Sequence, residues 1–107
     1  MNSARSWSYH YDGLGPLGGV VVHTAPGTGL SLHVTDVVFS VWTDALVSIF
    51  FQENLATVLG PYRLGESHLG IIALHFGTPK EIAENTALTV TTSAALPQSI
   101  DVLGFIA

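Results

Sequence analysis

From Leu30 to Thr35 apolar side chains fall on the even positions; from Val37 to Val41 they fall on the odd ones. A period of two is the signature of a strand with one face buried. A slip of that period by one residue predicts a β-bulge near Thr35-Asp36, because register cannot otherwise keep the apolar set facing inward. The last third of the chain has the same character. Phe76-Gly77-Thr78-Pro79-Lys80 leads into the β-branched run Leu88 to Ser93, and Ser99 to Ile106 alternates again.

Other segments extend the pattern. Val20 to Thr24 is a short β-branched strand, bounded by the glycine- and proline-rich stretches 12–19 and 25–29. His68 to Phe76 reads as a strand with Leu69, Ile71, Ala73 and His75 on one face. The region 43–59 is two-sided. Thr43 or Asp44 fits the cap of a helix running to Gly60-Pro61. Against that, Val47, Ile49, Phe50 and Phe51 are β-branched or aromatic, which favours a buried strand. The strand reading puts a turn at Glu53-Asn54 and a following strand, Leu55 to Leu64, kinked at Gly60-Pro61. About eight short strands with turn signals between them predict an all-β, single-domain, jelly-roll-like β-sandwich with antiparallel strands. Residues 1–17, with Trp7, Tyr9 and Tyr11 alternating against Ser8 and His10, read as an N-terminal arm on a sandwich domain spanning 18–107.

Charge limits the function. Only eleven of the 107 residues are Asp, Glu, Lys or Arg, and the net charge is −5. A monomer of this size exposes roughly 5,700 Å². So few ionised groups over that area predict self-association or membership of a larger assembly. The three basic residues, Arg5, Arg63 and Lys80, lie far apart in sequence, and this argues against a nucleic-acid partner. No cysteine is present. The longest apolar runs are interrupted, so no membrane-spanning helix is expected. Residues 1–11 lack the apolar core of a signal peptide, and synthesis in the cytoplasm is the expectation.

The candidate chemistry is thin. The five histidines, His10, His23, His33, His68 and His75, contain no His-x-His pair of the cupin kind. His68 and His75 stand seven apart, on opposite faces of a regular strand. No metal, cofactor or catalytic residue is expected. Histidines at subunit contacts would make assembly pH-sensitive. Asp36, Asp44, Glu53 and Glu66 read as solvated turn carboxylates rather than a glycosidase pair. Gly13-x-Gly15-x-x-Gly18 matches a dinucleotide fingerprint but lacks its strand and helix, so it reads as a linker. Trp7, Tyr9, Tyr11, Trp42 and Tyr62 are the interface candidates. The apolar strands around Phe39, Trp42, Phe50 and Phe51 supply core or interface. The same five aromatics, if coplanar and exposed, would instead form a sugar-stacking platform.

The stretches Val34 to Ser40, Leu59 to Gly65, Phe76 to Lys80, Asn85 to Ala95 and Val102 to Phe105 resemble small phage-type β-sandwich proteins. The resemblance runs from Val34 onward and leaves the N-terminal arm outside. It implies a non-enzymatic virion protein, often a homotrimer. Such a subunit decorates or cements a capsid through contacts with itself and the major capsid protein, or forms part of a tail. The alternative it leaves open is a carbohydrate- or receptor-binding module at a tail or fibre tip.

Overall fold

The structure, a computed structural model, describes residues 5–42, 46–64 and 70–107. The described residues contain eight strands: β1 (Arg5–Gly13), β2 (Val20–His23), β3 (Leu32–Val41), β4 (Val47–Glu53), β5 (Ala56–Leu64), β6 (Gly70–Glu81), β7 (Leu88–Thr92) and β8 (Gln98–Ile106). They form two four-stranded antiparallel sheets, ordered β1-β8-β3-β6 and β2-β7-β4-β5. Every connection except the β4–β5 turn carries the chain from one sheet to the other. Eight strands wound this way between two sheets make a jelly roll. The accessible surface, 5754 Å², is that of an ordinary folded monomer of this mass.

The alternating pattern lays out the core. Leu32, Val34, Val37, Phe39 and Val41 of β3 meet Ile100 and Val102 of β8 in one sheet. Ile49 and Phe51 of β4 and Leu88 and Val90 of β7 close on them from the other, and all are buried. Each such side chain contributes about 1.5–3 kcal/mol relative to exposure. The phase slip in β3 is a bulge. Val34 opposes Gly104 and Asp36 opposes Leu103, so Thr35 is the extra residue and Val37 returns to the core side. The kink in β5 is also an insertion: Leu59 opposes Phe51 and Tyr62 opposes Ile49, so one residue on β4, Phe50, faces two on β5, Gly60 and Pro61. Gly60 takes it up at a φ of 89°, with the Ile49 carbonyl oxygen only 2.8 Å from where a Cβ would stand. Residues 43–59 form strands β4 and the start of β5 over their described part; Thr43, Asp44 and Ala45 lie outside the described residues.

The N-terminal segment differs from its sequence reading. Arg5–Gly13 pairs residue for residue with β8, from Arg5 opposite Ile106 to Gly13 opposite Gln98. It is the edge strand of a sheet, not an appendage to a domain beginning at residue 18. The chemistry behind this lies in β8. Gly104 leaves a gap in the inner row, and Trp7, directly opposite, lies over it. A Cβ on Gly104 would stand 2.1 Å from the His33 carbonyl oxygen and 2.5 Å from the Trp7 ring. The large ring covers the site that the missing side chain vacates, as aromatic residues do beside strand glycines.

Candidate interaction surfaces

The outer face of the β1-β8-β3-β6 sheet gathers histidines against acids. The register sets His10 opposite Asp101, Asp36 opposite His75 and His33 opposite Glu81. His10 Nδ1 donates to Asp101 Oδ1 at 2.6 Å, and His75 Nδ1 donates to Asp36 Oδ1 at 2.7 Å. The bulge at Thr35 is what turns Asp36 outward to meet His75. The hydrogen bond from His75 is the main reason the Asp36 carboxyl sits below the ordinary aspartate pKa. His33 stacks flat on Phe105, with ring centroids 4.6 Å apart. These pairs are solvent-exposed and individually weak. Among the described residues, no three His, Asp or Glu side chains converge as a metal-ligand set. His23 donates to the Thr24 carbonyl instead. His68 and Glu66 lie outside the described residues.

The outer face of the other sheet is nearly free of charge. Val21, Ser48, Phe50, Gln52, Thr57, Thr89 and Thr91 occupy it, with Arg63 paired against Ser48.

The five aromatic candidates separate. Trp7 is only 8% exposed and belongs to the core, tilted against His23 at 5.4 Å. Its Nε1 finds no acceptor among the described residues. Tyr9, Tyr11 and Tyr62 are half-buried and pack on the core from β1 and β5, in different sheets. Burial, and secondarily Tyr11, raises the Tyr9 pKa. Tyr11 accepts a hydrogen bond from the Gly15 amide through its hydroxyl. Trp42 alone of the five is exposed, at 51%. The five therefore make no common stacking platform. Sequence reasoning grouped them by residue type, and only the sheet pairing distinguishes an inward β1 aromatic from one at a strand end.

Val20, Val21 and Leu103 stand exposed along strands β2 and β8, and the other exposed large apolar side chains lie at the two poles. The loops at 24–31, 54–55 and 82–87 gather at one end: Gly27 N donates to Asn85, Gly29 N to Glu84, Asn85 N to the Leu30 carbonyl and Ala83 N to Glu53. At this pole Leu55 projects, 89% exposed. The segments at 14–19, 42 and 93–97 gather at the other end. There Trp42 N donates to the Pro97 carbonyl and Thr92 N to the Leu17 carbonyl. This pole carries Leu14, Trp42, Leu46 and Ile71, all exposed. A shallow cleft of about 260 Å³ lies among Ser40, Val41, Trp42, Gly70 and Ile71.

Gln98 ties this second pole together, and nothing in the sequence singled it out. Its side chain is fully buried. Its Nε2 donates to the carbonyls of Leu96 at 2.9 Å and Ala94 at 3.1 Å, with a longer contact to Leu14. The only available signal was a glutamine opening an apolar strand after a proline.

No protein-family model matches the chain, and no curated protein matches it. Among solved structures the chain is similar to the one titled cryo-EM structure of giant freshwater prawn Macrobrachium rosenbergii extra small virus (XSV) VLP. That likeness has 9% identity and a TM-score of 0.40, covering 99% of this chain and 80% of that chain. A similarity of this size carries no argument about what this chain does. The chain itself defines an all-β, two-sheet sandwich with exposed apolar poles.

Proposed function

We propose that this chain is a non-enzymatic structural subunit of a virion that self-associates and docks on a larger shell. In its specific form it is a bacteriophage capsid decoration or cement subunit, assembling as a homotrimer on the major capsid protein after synthesis in the host cytoplasm. The observation that carries this reading is where the apolar surface lies. An ordinary monomer-sized surface carries eleven ionised side chains, while Leu14, Trp42, Leu46, Leu55 and Ile71 stand exposed at its two ends. Large apolar and aromatic side chains left in water at the ends of an otherwise closed core are the anchors of protein contacts. Several weak contacts engaged together by one oligomer then give tight attachment. The phage-type strand and turn motifs from Val34 onward supply the virion context.

The test is the solution mass of the purified chain by light scattering, followed by co-sedimentation with capsid shells. A trimer that pellets with shells supports the reading. A chain that is monomeric at micromolar concentration and does not pellet overturns it.

A further inference from the structure

Each sheet of the sandwich has two edge strands: β1 and β6 in one, β2 and β5 in the other. An edge strand leaves a row of backbone amides and carbonyls unpaired. Folded proteins ordinarily blunt that row with proline, a bulge, shortness or charge. Three of these four edges are blunted. β2 is four residues long, and its register with β7 shifts between Val21 and His23. β5 carries Pro61 and the extra residue at Gly60-Pro61. β6 carries Pro79, and its residues 76–79 face Thr35 alone between two stretches paired with β3. β1 is different. It runs nine residues, pairs with β8 at every one of them, and contains no proline and no lysine. Its one arginine, Arg5, is its first residue. Among the described residues no strand lies on its other side. The internal stretches outside the description, 43–45 and 65–69, join β3 to β4 and β5 to β6, strands that are not neighbours of β1.

We infer that β1 is a pairing edge for β1 of a second copy, antiparallel and about a twofold axis, which joins two four-stranded sheets into one of eight strands. Charge favours this occupant. Arg5 opens β1 and Asp12 stands near its end, both exposed. An antiparallel copy brings each Arg5 to the Asp12 end of the other strand, whereas a parallel copy sets Arg5 beside Arg5. Side-chain rows favour it too. Residues directly opposite in an antiparallel pair share a face. The twofold therefore sets the inward row Trp7, Tyr9 and Tyr11 against the same row of the copy. Tyr9 and Tyr11 are only half-buried at this open edge, and aromatic side chains opposite one another across strands attract. The blunted edges of β2, β5 and β6 offer β1 no unbroken row of equal length, so its fitting partner on this chain is β1 itself. The contact goes beyond the self-association proposed above and needs no threefold. In a trimer it would join chains of neighbouring trimers.

The test is amide hydrogen exchange along β1 of the whole chain, with the mass read by light scattering. Every second β1 amide points away from β8. Those amides are expected to exchange about tenfold or more slowly when the protein is concentrated enough to pair than when it is dilute. The mass is expected to be that of a dimer, or of a hexamer where a trimer also forms. The double variant Ser8→Lys, His10→Lys crowds ammonium groups around the twofold from exposed positions outside the core. It is expected to weaken pairing by about tenfold or more and to melt like the parent when dilute. If the outward β1 amides exchange equally fast at both concentrations, or if the double variant pairs like the parent, the edge contact is refuted. A trimer with unprotected β1 amides also refutes it and leaves the function proposed above standing. A dimer with protected β1 amides that does not pellet with shells supports the edge contact and overturns the docking reading.

Discussion

Gly104 and Leu55 are opposite departures from the ordinary strand and turn. At Gly104 a side chain is missing where a strand interior would normally carry one, and Trp7 from the neighbouring strand fills the space. At Leu55, in the left-handed region at a φ of 69°, a side chain is present where the turn favours none, and no described residue covers it. The first cost is offset inside the molecule, and the second is not. The difference separates a residue whose cost is offset by packing from one whose cost no packing offsets. It also divides the aromatic and apolar residues by role: Trp7 completes the sheet, whereas Leu55, Trp42 and Ile71 remain available.

The largest expected effect tests the closed site. Trp7→Ala removes the ring over Gly104 and is expected to destabilise the domain by about 3–5 kcal/mol, read from urea denaturation. A loss under about 1 kcal/mol would mean that β1 is a dispensable arm after all. Gly104→Ala attacks the same place from the other side. The new methyl meets backbone at the His33 carbonyl, so β8 and β3 must part, at a cost of about 3 kcal/mol. Gln98→Leu keeps volume but leaves the Ala94 and Leu96 carbonyls without their donor, and should cost about 1–3 kcal/mol. That change loosens the pole bearing Trp42, so the proposed self-association should weaken along with folding.

At the open site the sign reverses. Leu55→Gly should stabilise the isolated domain by about 0.5–1 kcal/mol, because the strain relieved exceeds the chain entropy added. A destabilised Leu55→Gly protein would show that Leu55 is held by contacts within its own chain, and the comparison with Gly104 would collapse.

The smallest effect lies on the histidine–acid face. The folded pKa of Asp36 is depressed, chiefly by the hydrogen bond from His75. A depressed acid stabilises the fold above its unfolded value, and that stability is lost as pH falls through the folded value. The contribution is therefore intact at neutral pH and disappears below about pH 4. His75→Ala should move the Asp36 titration upward, measured by carboxyl carbon NMR. An unchanged titration would mean that the two side chains do not pair in solution.

Much of the sandwich was legible because period-two burial is written residue by residue. The slip between Val34 and Val37 located a bulge, and Gly60-Pro61 located the break in β5, since both are local demands on the backbone. The membership of β1 was not legible. Trp7, Tyr9 and Tyr11 alternate with polar residues whether the strand is an arm or a sheet edge, and the deciding partner, Gly104, lies far away in sequence. The same distance hid Gln98, whose acceptors come from two separate loops, and the cross-strand pairing of His10 with Asp101 and His75 with Asp36.

By itself, then, the amino-acid sequence determined the strand periodicity, the places where it breaks, the scarcity of charge and the absence of any recognisable catalytic motif. These depend on side chains near one another along the chain. Only the tertiary structure decided which aromatics are core, which acids meet which histidines, and that Leu14, Trp42, Leu46, Leu55 and Ile71 stand exposed at two opposite poles. Those properties follow from strand order and register, which are set by packing between segments distant in sequence, and a local pattern does not encode them.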